Sequence, residues 1–356
     1  MRAVGVLGMG AFLPPIVRTN DWWPAATIAQ WQGRAAHRAT NTEIPANVSA
    51  GVRRTLEAFA VHVDDPFRGA RERRVMPDDM TVSDMEVAAA REAIARAGVA
   101  PDSIDAIFTQ TPVAEYLMVN PASETHRALG LPQRCFAMAT EVACNGFAMH
   151  ATLAQSMIKS GAARHVLAIQ SSAITRVLDP REPDSAWWGD GAVAAVFGPV
   201  SAERGLLAAE HNTDGTNCRA LVLGGPDKRW WQGSEITVHS VDRVHTRSML
   251  LSLVDRAGDS IAQALKAAGL APGDVDFYAA HQGTAWLADV TREHAGLERA
   301  KTLVTFPSCG NMNSANVPYI LALAEREGLI RDGSVVVTFG GGLGETWSSL
   351  AFRWGR

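Results

Sequence analysis

The chain has 356 residues, 47% of them hydrophobic and 20% charged, with a formal net charge of −4. That balance excludes wholesale disorder and suits a sizeable core, in one large domain or two ordinary ones. No basic block is long enough to track a phosphate backbone and no apolar run approaches the ~20 residues of a membrane helix, so neither nucleic acid nor membrane is expected as a partner.

The opening MRAVGVLGMGAFLPP lacks the charged region, long apolar stretch and cleavage site of a signal peptide and reads as a first β-strand. Residues 20–70 break the pattern that follows. NDWWPAATIAQWQGRAAHRATNTEIPANV is rich in Trp, Ala and Thr, and HVDDPF reads as a loop. We expect an inserted helical cap here, whose Trp22, Trp23 and Trp31 either face a substrate entrance or acyl pocket or serve as plain core. The four cysteines, Cys135, Cys144, Cys218 and Cys309, form no CxxC pair, which gives neither a zinc knuckle nor a disulfide framework. A reducing cytoplasm is the expected setting.

Residues 84–97 carry Met85, Val87, Ala88, Ile94 and Ala95 near helical spacing and stop at Gly98. The nine residues AGVAPDSID at 97–105 then return as AGLAPGDVD at 268–276, an offset of 171 (268 minus 97) with five positions identical. A second pair, IKSG at 158–161 and IRDG at 330–333, repeats at 172 (330 minus 158). Each copy precedes an apolar, β-rich run. Helix, turn and strand alternate in both stretches, the pattern of largely parallel sheets covered by helices. The chain therefore reads as two duplicated α/β halves, residues 1–200 and 201–356, with GAVAAVFGP closing the first.

Cys144, in EVACNGFAMH, follows a β-like run and opens a helical stretch. Backbone N–H groups and the helix dipole at such a position favour an anion, so a lowered thiol pKa and a populated thiolate are expected, although a free cysteine is also common core filling. His281 lies at a strand exit in the second copy, where α/β sheets place their chemistry. His150, six residues after Cys144, points elsewhere on its helix and reads as packing. Adding 171 or 172 to Cys144 reaches Ala315 or Asn316, which makes the polar loop GNMN, with Asn311 and Asn313, the counterpart of the cysteine turn. An amide there can donate to a developing oxyanion, while turn chemistry alone explains most Gly-Asn pairs. The Gly340–Gly342 triplet allows close backbone approach without being a dinucleotide fingerprint. No second histidine or carboxylate lies at ligand spacing from His281, so no metal is expected.

Cysteine, histidine and Gly-Asn in that order, on duplicated halves, resemble the thiolase superfamily and, within it, β-ketoacyl-acyl-carrier-protein synthase III and its relatives. The matching stretches are GARERRVM, EVACNGF, WWGDGAVAAVFG, AAHQ, GNMNSANVP and FGGGLGETW, in the family's order between residues 69 and 347. The resemblance implies a thiolase fold, α/β, with mixed sheets in α-β-α-β-α layers. It implies that Cys144 takes an acyl group as a thioester and that His281 and Asn311 hold the second substrate's carbonyl. The backbone N–H groups of Cys144 and Gly341 would then form the oxyanion hole. It also implies acyl-CoA or acyl-carrier protein as partners, no metal or redox cofactor, and a homodimer.

The departures are local. The family's HQANxRI is here HQGTAWL, with Thr284 and Trp286 replacing Asn and Arg, and the glycine loop carries two extra residues, which bring in Gly344 and Glu345. Trp286 and Glu345 are therefore candidates for the entrance or acyl pocket. Three functions remain open on the sequence. One is Claisen condensation with a malonyl-type or other acyl thioester, in specialised polyketide or fatty-acid-derived metabolism. The second is acyl transfer from Cys144 to an alcohol or amine with His281 as base. The third is a non-catalytic acyl-binding paralogue.

Overall fold

Sheet one is built from strands that, apart from one edge strand, are buried along most of their length. In the computed structural model, which describes residues 3–39 and 44–356, it has the order β1-β7-β6-β4-β5. Its strands are β1 (Ala3–Phe12), β4 (Ala106–Gln110), β5 (Phe136–Thr140), β6 (Val166–Ser172) and β7 (Gly191–Val200). A side ribbon pairs β2 (Ile16–Thr19) with β3 (Glu72–Val75). The helices of this half are α1 (Ala25–Ala39), α2 (Ala50–Val61), α3 (Val82–Ala97), α4 (Ala122–Leu129) and α5 (Gly146–Ser160).

The second half repeats the plan with β8 (Gly205–Thr213), β11 (Phe277–Ala280), β12 (Val335–Gly342) and β13 (Thr346–Arg353), in the order β11-β12-β13-β8. A hairpin of β9 (Val222–Gly224) and β10 (Thr237–His239) precedes α6 (Arg243–Ala268); α7 (Leu287–His294), α8 (Phe306–Cys309) and α9 (Asn316–Arg326) follow β11. The duplication holds to the register. Ala106 pairs with Val166 in parallel, and Phe277, 171 residues after Ala106, pairs with Val336, 170 after Val166.

Side-chain alternation explains the layers. Along β6, Val166 and Ala168 face a central cluster shared with Phe147 and Ile158 of α5 and Ile320 and Leu321 of α9. Leu167 and Ile169 face the opposite way, onto Met85, Ala89 and Ala93 of α3. Along β12, Val336 joins the central cluster, while Val337 and Phe339 meet Ile261 and Leu265 of α6. Strands covered on both faces need continuous apolar runs. The result is α3, sheet one, α5 with α9, sheet two, α6: an α-β-α-β-α stack.

Local signals set the boundaries. Thr81 and Asp84 form a capping box at the start of α3, and Gly98, at φ 67°, ends it as Gly269, at φ 68°, ends α6. The glycines of β1 answer a packing demand, since a Cβ at Gly10 would sit 2.2 Å from the Ala89 carbonyl oxygen of α3. Two expectations change. IKSG does close α5, but α9 stops at Arg326 and IRDG lies in the turn before β12, because the two connections differ in length. The 20–70 stretch holds α1 and α2 as expected of a helical cap, but it is flanked by β2 and β3, a ribbon the composition hid; its residues 40–43 lie outside the described residues.

Candidate active site

Two tight turns after matching strands meet between the sheets. In the first half a 3-10 turn, Ala143–Asn145, carries Cys144 from β5 to α5. Ala143 sits at φ 48°, in the left-handed region that costs a non-glycine residue of order 1 kcal/mol. Neighbouring side chains hold it there: the Ala143 N–H donates to the Glu141 carboxylate at 2.8 Å, and the Val142 N–H to Gln110 Oε1 at 3.0 Å.

The second half has the same elbow. The turn Asn313–Ala315 opens α9, with Asn313 at φ 53°. The matching pair Ala143 and Asn313 is 170 residues apart (313 minus 143), so Ser314 is the counterpart of Cys144. The sequence offset points one or two residues further, to Ala315 or Asn316, because loop lengths drift between the copies. The elbows touch: a Cβ on Gly146 would lie 3.2 Å from that of Ser314.

His281 directly follows β11, its N–H bonded to the Phe339 carbonyl at 2.8 Å. Gln282 anchors the next segment, with Nε2 donating to the Leu303 carbonyl at 2.7 Å and Oε1 accepting from Thr305 and Phe306 N–H groups. Asn311 is gripped by the Trp187–Gly189 turn: its N–H donates to the Trp187 carbonyl at 2.7 Å, and its own carbonyl accepts from Gly189. Its Oδ1 accepts from the Asn313 N–H at 2.9 Å, which leaves Nδ2 as the free donor end of the amide. Cys144, His281, Asn311, Gly341 and Gly342 all line one cavity of about 240 Å³. A Cβ at Gly342 would lie 3.1 Å from the Cys144 nitrogen, so only glycine lets β12 approach the elbow this closely.

Burial keeps Cys144 and His281 neutral. The Cys144 thiol is pushed up to about 12, first by burial and then by the Glu141 charge, against a smaller opposing backbone hydrogen bond. Against the expectation of a populated thiolate, burial and the Glu141 charge favour the protonated thiol. His281 is lowered to about 4, again by burial, with the Asn313 backbone pulling the other way. At neutral pH the site therefore holds a thiol and a neutral imidazole.

The tryptophans of the cap lie elsewhere. Trp23 and Trp31 are 2% exposed and pack with Phe67, Ala70 and Phe306; their indole N–H groups bond Ser185 Oγ and the Arg181 carbonyl. Trp22 is half exposed beneath the Arg18 guanidinium. None of the three lines the cavity. Their apolar demand is met by one another, which is the plain-core reading. The cap reaches the cavity through Phe59 of α2, in edge contact with Trp286 at 5.1 Å.

Trp286 and Glu345 do line the cavity, and Glu345 is only 3% exposed rather than on a surface loop. It pairs with Arg256 of α6, whose guanidinium also bonds Asp214 at 2.9 Å and lies over the Trp347 ring at 4.3 Å. Sequence reasoning missed Arg256, Trp187 and Trp347 as lining residues. The last two stand inside quoted motifs, whereas nothing in the pattern of α6 marks Arg256. His150 bonds Thr140 and Gln170 inside the core, as packing requires. Among the described residues no group of three or more His, Cys, Asp or Glu side chains gathers to hold a metal.

The chain resembles known proteins over most of its length. Residues 138–215 match the family described as 3-oxoacyl-[acyl-carrier-protein (ACP)] synthase III, and residues 265–354 match its C-terminal part. A β-ketoacyl-[acyl-carrier-protein] synthase III of Bacillus pumilus is 34% identical over 81% of this chain and 88% of its own length. The chain belongs to the β-ketoacyl-[acyl-carrier-protein] synthase III family. It is thus an acyltransferase, a condensing enzyme of the synthase III kind. A Bacillus cereus member is 30% identical over 99% of both chains. Among solved structures, the Pseudomonas aeruginosa synthase III superposes with a TM-score of 0.78 at 26% identity, covering 100% of this chain and 99% of its own. The priming β-ketosynthase of the R1128 polyketide pathway, at 24% identity, shares the fold with a TM-score of 0.80 over 99% of this chain and 96% of its own.

Proposed function

We propose that this synthase loads an acyl group onto Cys144 and extends it with a malonyl-type thioester, releasing carbon dioxide and a 3-oxoacyl thioester. The observation that carries the reading is that Cys144, His281 and Asn311 line one cavity together with Gly341 and Gly342. In the first half-reaction His281 accepts the thiol proton as Sγ attacks the donor thioester. The new C–S bond forms, the old one breaks, and the departing CoA or carrier-protein thiolate takes the proton. Backbone N–H groups of Cys144 and Gly341 receive the transient oxyanion.

In the second half-reaction His281 and the Asn311 Nδ2 donate to the carbonyl oxygen of the malonyl thioester. The carbon–carboxylate bond breaks, its electron pair becomes the enolate, and carbon dioxide leaves. The enolate carbon then bonds the acyl carbonyl carbon and expels the Cys144 thiolate, which takes up one proton from water. A neutral imidazole has no net charge to hold the malonyl carboxylate in place, which suits a step that must release it.

The altered HQGTAWL and glycine loops support a specialised role rather than general fatty-acid initiation. We further propose a homodimer, supported by the edge position of β5, where Phe136 is exposed, and by the exposed run Tyr116–Val119 beside it. The test is incubation with acyl-CoA and malonyl thioester, followed by carbon dioxide release, product mass and intact-protein mass. Cys144→Ala should lose the acyl adduct. Asn311→Ala should still acylate but lose about a hundredfold or more in C–C bond formation. An ester or amide as the only product, or an adduct that no acceptor discharges, overturns the reading.

A further inference from the structure

Glu345 is poorly explained by its turn. It occupies the left-handed region at φ 57°, which Gly or Asn fills at lower cost, between Gly344 at φ 81° and the first residue of β13. The turn is pinned, with the Glu345 N–H bonded to the Gly342 carbonyl at 3.1 Å and the Asp214 N–H to the Glu345 carbonyl at 2.9 Å. Its carboxylate is buried at the cavity wall, and apart from the ion pair with Arg256 neither oxygen has a hydrogen-bond partner among the described residues. Thr346 and Thr284, on the same wall, also have hydroxyls without partners.

Much of the remaining cavity lining is apolar, with Leu221, Val238, Met249, Leu250 and Leu253, beside the polar Arg68, Asp184 and Thr246. A purely aliphatic substrate gains nothing from a buried carboxylate and two unpaired hydroxyls, each of which pays a desolvation cost. Two carboxylates, Asp214 and Glu345, share one guanidinium, so the cluster carries one net negative charge. It offers acceptors to a donor and repels an anion.

We infer that the Glu345–Arg256–Asp214 cluster selects an acyl group bearing a hydrogen-bond donor, a hydroxyl or an ammonium, and rejects one ending in a carboxylate. This is a specificity role, and it rests on Cys144 as the acyl-accepting residue. The donor binds Glu345 while the thioester carbonyl faces the Cys144 elbow, so the cluster reads the acyl chain without taking part in bond making.

The experiment compares acylation rates of Cys144, followed by intact-protein mass, with matched CoA thioesters. The sets are butyryl against 3-hydroxybutyryl, and hexanoyl against 6-hydroxyhexanoyl, 6-aminohexanoyl and adipoyl. At least one donor-bearing group should react about tenfold or more faster than its alkyl match, and adipoyl should be slowest. The hydroxy and amino arms tell the two donors apart. In Glu345→Leu the donor-to-alkyl ratio should fall towards one. Glu345→Gln, which keeps the shape, should lose any preference for ammonium, and thermal melting checks that both variants fold. Equal rates for every matched set, a preference for adipoyl, or a ratio unchanged in both variants overturns the inference. Labelling by the alkyl thioesters alone sustains Cys144 as nucleophile even then, whereas no labelling by any thioester defeats the reading beneath it.

Discussion

Cys144 should be a slow nucleophile until substrate arrives. A thiol titrating near 12 is ionised about a thousandfold less at pH 7 than one titrating near 9, and only about one molecule in 10⁵ holds the thiolate. Alkylation by iodoacetamide, followed by mass spectrometry of the separate peptides, compares Cys144 with exposed Cys218 in the same tube. Burial of Cys144 also hinders the reagent, but hindrance lowers the rate equally at every pH. Ionisation instead gives a rate that climbs about tenfold per pH unit through pH 10. Glu141→Gln keeps an acceptor for the Ala143 N–H and removes the like charge, so it should raise the Cys144 rate between about threefold and tenfold. A Cys144 rate that levels off below pH 8 would refute the reasoning, because the helix terminus would then outweigh desolvation.

Two further outcomes test the fold. Gly10→Ala places a methyl 2.2 Å from the Ala89 carbonyl oxygen and 2.5 Å from the Ala93 nitrogen, which should cost about 1–3 kcal/mol and lower the melting temperature by roughly 2–10 °C; an unchanged melt contradicts the close contact of β1 with α3. Glu86 is raised from 4.5 to about 7, first by burial and against hydrogen bonds from Thr125 and Ser171. The folded state thus prefers the protonated acid, and stability drains away as pH rises from 4.5 through 7. Glu86→Gln should remove up to about 3 kcal/mol of that loss in urea unfolding compared at pH 5 and pH 8, and parallel profiles for the two proteins would contradict it.

The architecture was legible because duplication leaves a pattern that physics repeats. AGVAPDSID and AGLAPGDVD each encode a glycine helix stop and a proline turn ahead of a strand, and both fold that way. Cys144, His281 and Asn311 stood out because each lies at a turn beside a strand or helix end, where local rules apply. Contacts set by distant packing were not legible. The tryptophans of the cap advertise an aromatic cluster, but only the third dimension shows that Phe67 and Phe306 close it away from the cavity. Arg256 sits on a helix whose other residues make it look like an ordinary surface cation. Only the fold brings it against Glu345 and Trp347. The thiol misled for a related reason, since a helix start is visible in a sequence and burial is not.

In the proposed scheme, β12 joins the bond-making centre at Cys144 to the selective cluster at Glu345. Side chains are absent at Gly340, Gly341 and Gly342, so β12 meets the cysteine elbow backbone to backbone, with the site of a Gly342 Cβ 2.7 Å from the Val142 carbonyl oxygen. Such a contact has no rotamer to adjust and fixes where the backbone donors point. The pairing of Gly341 with Trp347 and of Gly342 with Thr346 closes the ladder before the Leu343–Glu345 turn begins. Residues added inside that turn can therefore bring a carboxylate to the cavity wall while the glycines keep their register against the elbow. In the proposed scheme, a change in this turn alters what the pocket reads and leaves the geometry around Cys144 as it stands.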